Sequence, residues 1–336
     1  MSKYVVKLES ISPIHIGNGE EYFSTFIRDS IRLNEEIIFE EFTKQILRGV
    51  DIEKISERFN ELKSYVEHLE NSLIERAYLY KFDELDKSIT SKEVRVQEIL
   101  KENENGKIKP LIPGSTIKGY ILTLMLLKEL EEANESVIIE ANRVYVKVGK
   151  KRRPLLNSLI RNPTLIERFR DEIEKFIKLK NFSVSDCVLN NYKIKLGKLY
   201  IWRRGNPIFI EVLDEFSGKC EIEADFDLED LIKNYGNKFA RRYLEKLEKL
   251  EEIVPGTKEK INEIKKELEN ENLIIVGKYT NLYSKSIHLL PENKLRFLKE
   301  RFEKIRLPRI LKIFEINGKK QILGMVKVKI EKLSWG

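Results

Sequence analysis

Near its start the chain sets Tyr4, Val6 and Leu8 on one side of an extended run and Lys7 and Glu9 on the other. Near its end Val326, Val328 and Ile330 alternate in the same way with Lys327, Lys329 and Glu331. Side chains in a strand alternate between faces, so each run predicts a half-buried β-strand. Between these ends the period changes. From about 40 to 104 the composition is acidic and lysine-rich, and Ile52, Ile55, Phe59, Leu62, Val66, Leu69 and Leu73 recur at spacings of three and four. That is the seam of a long helix packed on another helix, inserted after the first strand. Residues 227–271 form a second helical stretch whose halves meet at Pro255-Gly256, which predicts a helical hairpin.

The remainder fills in the order. Ile117, Tyr120, Ile121, Leu124, Met125 and Leu130 mark one face of a helix behind Pro113-Gly114, with Ser115 and Thr116 as its expected N-caps. A strand is expected over 143–148, helices near 164–180 and 292–304, and strands over 182–189, 192–203, 207–213, 219–226 and 272–276. The fold class is α+β with two helical excursions. With 336 residues, the division is a core of 1–39 plus 105–226, insertions at 40–104 and 227–271, and a C-terminal part over 272–336.

Charged residues make up 35% and apolar ones 41%, which excludes a disordered chain. Cys187 and Cys220 fit neither a CxxC pair nor a disulfide framework, and His15, His68 and His288 are scattered, so no metal or other cofactor is expected. The opening MSKYVVKLES has no apolar signal core and no 18-residue apolar run occurs, so a cytoplasmic protein with no membrane partner is expected. Glutamine occurs only at 45, 97 and 321 against a heavy Lys/Glu/Ile load, which points to a thermophilic source.

The formal net charge of +7 matters through its distribution. Residues 141–166 carry bases at 143, 147, 150, 151, 152, 153 and 161 and no acid. Residues 187–210 carry bases at 193, 195, 198, 203 and 204, again without an acid, interleaved with Tyr192, Tyr200, Trp202 and Phe209. Cations beside aromatic faces suit phosphates and unstacked bases. The turn Ile112-Pro113-Gly114-Ser115-Thr116-Ile117-Lys118-Gly119 offers backbone N–H groups and a lysine to an anion, but it lacks the GxxxxGK[ST] spacing of a nucleoside triphosphatase.

Three segments in this order carry a resemblance. Ser12-Pro13-Ile14-His15-Ile16-Gly17-Asn18-Gly19-Glu20, the Pro113-to-Gly119 helix start and Val184-Ser185-Asp186-Cys187 resemble the RAMP proteins of type III CRISPR effector complexes. Ile275-Val276-Gly277 through Ser284-Lys285-Ser286 is similar to a divergent form of that family's late glycine-rich loop. Within the family the likeness is greatest to the subunit at the crRNA 3′ end of the type III-A (Csm) complex. The resemblance implies an RRM-like (ferredoxin-like) core with an antiparallel sheet and large helical insertions, with the last third a candidate second, degenerate RRM-like unit. It also implies a non-catalytic subunit in antiviral defence, needed for complex assembly and crRNA 3′-end maturation. Implied partners are crRNA and its target RNA duplex, the neighbouring backbone and small subunits, and host trimming nucleases.

Carried over by position, the resemblance assigns RNA contacts to His15, Gly17, Asn18, Gly19, Ser115, Thr116, Lys118 and Gly119. The basic runs add Lys150, Lys151, Arg152, Arg153, Trp202, Arg203 and Arg204; Lys278 and Lys285 come from the late loop, and Arg28 is a candidate phosphate or subunit contact. In the target-cleaving backbone subunit of the family, a loop similar to Tyr22–Asp29 carries the slicing aspartate. Phe23 stands at that position here and can neither hold a metal nor move a proton, so no catalytic residue is expected. The rival is a metal-independent repeat-RNA endoribonuclease using His15 with Tyr22 or Lys118. A third reading is a protein scaffold whose helical insertions do the binding.

Overall fold

The computed structural model describes residues 1–46, 59–89, 93–104, 107–132, 137–140, 143–148, 151–155, 181–201, 205–248, 256–280 and 312–333. The chain begins with β1 (Ser2–Ser10), β2 (Gly17–Phe23), β3 (Ile27–Arg28), β4 (Ile31–Leu33), α1 (Glu35–Ile46), α2 (Phe59–Glu67), α3 (Asn71–Ala77), β5 (Tyr78–Lys81) and β6 (Glu84–Leu85). Then come β7 (Arg95–Ile99), β8 (Lys101–Glu104), β9 (Lys107–Pro110), α4 (Gly114–Glu132), β10 (Val137–Glu140), β11 (Arg143–Val148) and β12 (Lys151–Leu155). β13 (Phe182–Val184), β14 (Val188–Ile201) and β15 (Ile208–Ala224) precede a π-helical turn at Leu231–Gly236, α5 (Asn237–Glu248) and α6 (Lys258–Asn270). The chain closes with β16 (Asn272–Ile275), β17 (Lys312–Ile316), β18 (Lys319–Gln321) and β19 (Met325–Leu333).

The two terminal alternations meet. β1 lies between β15 and β19, antiparallel to both, in a sheet ordered β16-β19-β1-β15-β14-β17-β18. Tyr4, Val6 and Leu8 face inward beside Cys220, Ile222, Val326 and Val328. Ile117, Tyr120, Ile121 and Leu124 of α4 pack into the same core, as do Phe239, Tyr243 and Leu244 of α5 and Ile261, Ile264 and Leu268 of α6. Burying a side chain of this size contributes roughly 1.5–3 kcal/mol. On the outward face Lys7 pairs with Glu331, and Lys3 pairs with Glu221 at 2.7 Å. The architecture is α+β with a dominantly antiparallel sheet, as the patterning predicts.

Among the described residues, the helical reading of 40–104 holds only as far as Ala77; beyond it come the short strands β5 to β8 and a 3-10 turn at Lys87–Ile89. There the alternation of Tyr78, Tyr80 and Phe82, then of Val94 and Val96, outweighs the Lys/Glu-rich composition, because β-branched and aromatic side chains favour a pleated surface. The expected long helix also breaks at His68–Glu70, and Leu62, Val66 and Leu69 close a small separate core with Phe26, Leu33, Ile38 and Phe42. Ile52 and Ile55 lie outside the described residues. The hairpin over 227–271 is present as α5 and α6, with Gly256 at φ +97° between them. The expected strands over 207–213 and 219–226 are one strand, β15, which stays continuous through Glu215 in the left-handed region. The helices expected near 164–180 and 292–304 lie outside the described residues.

Candidate nucleic-acid interface

β1 gives way to a crossing of four segments. Ser12 is fully buried and its Oγ accepts Met325 N–H at 2.9 Å, while Pro13 O accepts Gly324 N–H at 2.9 Å. Ile14 bridges Leu213 of β15, and His15 O accepts Lys278 N–H at 2.7 Å. The opening glycine motif and the late loop thus lie side by side. Gly277, at φ +95°, sits where a Cβ would come within 2.8 Å of His15 O. On the other side of the histidine, a Cβ at Gly17 would meet His15 Nε2 at 2.7 Å. These two glycines are there because the histidine backbone and ring occupy the space.

His15 itself is completely buried. Its Nδ1 bonds Glu211 O at 2.7 Å, and burial holds the ring's pKa down to about 4, against the rise that the Glu211 bond gives. The imidazole is therefore neutral at neutral pH and sealed from solvent. A general base must reach the proton it takes, and this ring reaches Gly17 instead.

Beneath the turn lies a polar cluster that sequence reasoning missed. The buried Glu211 carboxylate accepts from Tyr22 (2.7 Å) and Tyr80 (2.6 Å) hydroxyls, Ile99 N–H (3.1 Å) and Lys101 Nζ (2.5 Å). Lys101 also reaches Glu98 Oε1 at 2.9 Å, and Asn18 Nδ2 donates to Glu98 Oε2 at 3.3 Å. Burial beside Glu211 pushes both tyrosines well above their ordinary range. Tyr22 and Tyr80 are thus neutral donors at neutral pH. The one available signal was a single acid inside the apolar run Ile208–Leu213. Asn18 Oδ1 accepts Glu20 N–H at 2.9 Å, so its side chain closes the glycine turn.

The helix start Pro113–Gly119 meets the Val184–Cys187 segment directly. α4 begins at Gly114, so Ser115 and Thr116 fall in its first turn, and the cap expected of them comes instead from Asp186, whose Oδ1 accepts Gly114 N–H at 2.7 Å. A Cβ on Gly114 would lie 2.3 Å from Val184 O, so only glycine fits there. Lys118 Nζ donates to Phe182 O at 3.0 Å and lies 4.8 Å from the Phe182 ring. The anion invited by this helix N-terminus is supplied in part by the chain itself. Ser115 remains exposed, Thr116 N–H bonds Pro113 O at 2.9 Å, and Gly119 has open space on its Cβ side.

Two junctions are therefore assembled, and they are linked: Leu100 N–H bonds Ile16 O at 2.6 Å and Leu111 N–H bonds Leu100 O at 3.0 Å, one residue before Ile112. Lys278 is exposed at the first junction, 4.9 Å from the Tyr279 ring centroid, and Lys312 Nζ stands 5.1 Å from the same ring. Tyr279, a non-glycine residue at φ +67°, donates its hydroxyl to Gln97 Oε1. Arg28 points inward, with Nη1 on Leu69 O at 2.6 Å and Val66 O at 3.3 Å, so it ties the β3–β4 hairpin to the end of α2. Phe23 ends β2 with the Arg95 guanidinium 5.2 Å from its ring. Lys151, Arg152 and Arg153 lie on β12, where the register sets Arg152 opposite Lys147 and Arg153 opposite Val146. Lys150, Trp202, Arg203, Arg204 and Lys285 lie outside the described residues. Among the described residues no cluster of His, Cys, Asp and Glu fits a metal ion, and no helix is long and apolar enough to cross a membrane.

The sheet, the glycine junctions and the segments that build them define a class. The RAMP superfamily model matches residues 7–316, and the chain belongs to that superfamily. The fold is shared over nearly all of its length with two solved structures. One is a chain of a cryo-EM structure of a Csm–crRNA–target RNA ternary complex of a type III-A CRISPR-Cas system, with TM-score 0.62, 15% identity, and 98% of this chain and 100% of that one covered. The other is the crystal structure of T. onnurineus Csm5, with TM-score 0.58, 16% identity, and coverage of 96% and 99%. No curated protein matches the sequence significantly.

Proposed function

We propose that this chain is a crRNA-binding structural subunit of a type III-A CRISPR effector complex, seated at the 3′ end of the guide. The observation that carries the reading is membership of the RAMP superfamily together with a fold shared over nearly all of its length with Csm5. In this role it holds guide phosphates, contacts the target duplex, docks on backbone and small subunits, supports assembly and 3′-end maturation, and works in the cytoplasm. It brings trimming nucleases to the guide rather than cutting RNA itself. The sealed His15 ring and Phe23 at the slicing position favour this over the endoribonuclease reading.

Mechanically, the exposed Lys278 at the glycine junction and the basic β11–β12 hairpin grip phosphates, while the buried Glu211 cluster keeps the junction rigid. Such binding weakens steeply with salt as counterions are released and recaptured. The test is co-expression of the tagged chain with the other complex subunits, followed by RNA sequencing and cross-link mapping. Guide RNA cross-linked through its 3′ part to peptides containing Lys278 or Arg152 is the expected result. Recovery of complexes without RNA contacts on this chain would overturn it.

A further inference from the structure

We infer that Cys187 and Cys220 form a reversible cross-strand disulfide that fastens the segment capping α4. The ladder between β13 and β15 ends at Val184↔Ile222, and that between β14 and β15 begins at Val188↔Lys219. Ser185, Asp186 and Cys187 therefore stand opposite only Glu221 and Cys220, a bulge that brings the two cysteines across from one another. Cys187 N–H bonds Ile112 O at 2.9 Å, turned away from β15. Its side chain faces Cys220 without a backbone hydrogen bond between them, and opposed Cβ atoms in such a pair are close enough for an S–S bond. Both residues are free thiols, and both are buried in the same hydrophobic core.

The two thiols are not equivalent. The Cys220 thiol beside it, together with burial, pushes the Cys187 thiol up, whereas the neighbouring Cys187 holds Cys220 down against its own burial. Cys220 loses its proton first, and its thiolate is the nucleophile. With a two-electron oxidant of the diazene class, Cys220 sulfur adds to one nitrogen. Cys187 sulfur then displaces it, forming the S–S bond and releasing a hydrazine that has gained two electrons and the two thiol protons. In the cell a low-molecular-weight disulfide fills the same role by exchange, leaving as two thiols.

The consequence falls on the helix start. Cys187 follows Asp186, whose carboxylate caps Gly114 N–H, and pairs with Ile112, two residues before the helix. The bond therefore locks the cap, and with it the second glycine junction, to the centre of the sheet.

The experiment treats the purified full chain with diamide, blocks remaining thiols, and maps peptides by mass spectrometry without reduction. The expected product is one linked pair of peptides holding Cys187 and Cys220, formed in monomeric protein, lost in Cys187→Ser and in Cys220→Ser, and reversed by dithiothreitol. The oxidised form should also show an unfolding constant lower by on the order of a hundredfold and slower amide exchange at 112–118. Recovery of both cysteines singly alkylated after oxidation of the wild-type chain, or their cross-linking only between molecules, would overturn the inference. Because the wild-type mapping stands alone, poor folding of a serine variant does not blunt the test.

Discussion

The two glycine junctions look alike in sequence and differ in what they leave available. At the helix start, Gly114 N–H is bonded to Asp186 and Lys118 is bonded to Phe182 O. At the opening turn, Gly17 and Gly277 enclose a neutral histidine, and Lys278 stays exposed beside them. The helix-start junction consumes its own polar groups, whereas the opening-turn junction keeps an exposed cation. A glycine followed by N–H donors and a lysine therefore marks a place where an anion fits, without saying whether the anion comes from outside.

The strongest way to break the comparison is at the cluster supporting the opening turn. Lys101→Met removes the cation that touches Glu211, leaving a buried carboxylate, and should cost about 3–5 kcal/mol in a urea unfolding titration. An unchanged midpoint would show that the turn stands without its cluster. At the helix start, Gly114→Ala forces a methyl group against the Val184 carbonyl and should cost about 2–3 kcal/mol by the same measurement.

pH separates the junctions further. The His15 pKa is about 4 in the folded chain against 6.5 as its ordinary value, so between those values the unfolded chain binds more protons. The stability this gives is complete above pH 6.5 and is lost as pH falls to about 4, amounting to about 3 kcal/mol. The stability gap between wild type and His15→Gln should therefore narrow over that window, and a gap constant with pH would mean that the ring is not the titrating group.

Smaller effects sharpen the contrast. Asp186→Ala should cost about 1 kcal/mol, as for other lost N-caps, and Asp186→Asn less. Lys278→Glu should leave the unfolding midpoint within about 0.5 kcal/mol while weakening guide RNA binding and lowering the salt slope by about 1. Equal RNA affinity at every salt concentration would remove Lys278 from the interface.

Much of the architecture was legible in periodicity. Tyr4, Val6 and Leu8 predicted a buried strand face, and Ile117, Tyr120 and Ile121 a buried helix face, because both patterns depend on neighbours two to four residues away. The strands β5 to β8 read as helix in the sequence because lysines and glutamates on strand surfaces carry the composition of a helix. Among site residues, Gly17 and Gly114 were found through motifs, yet their reasons are long-range contacts with His15 Nε2 and Val184 O. Arg28 reads as a free cation and is spent on the carbonyls of Val66 and Leu69, 38 and 41 residues away.

By itself the sequence determined the strand and helix periods, the segregation of basic residues, and the motif order that marks a RAMP protein, since each is a property of local spacing. Only the tertiary structure decided that Asp186 fills a helix start 72 residues before it, that Glu211 is shared by Tyr22, Tyr80 and Lys101, and that two distant cysteines face each other. Those pairings follow from strand register across the sheet. Register is set by how the buried faces of β1, β14 and β15 fit together, and no spacing along the chain encodes it.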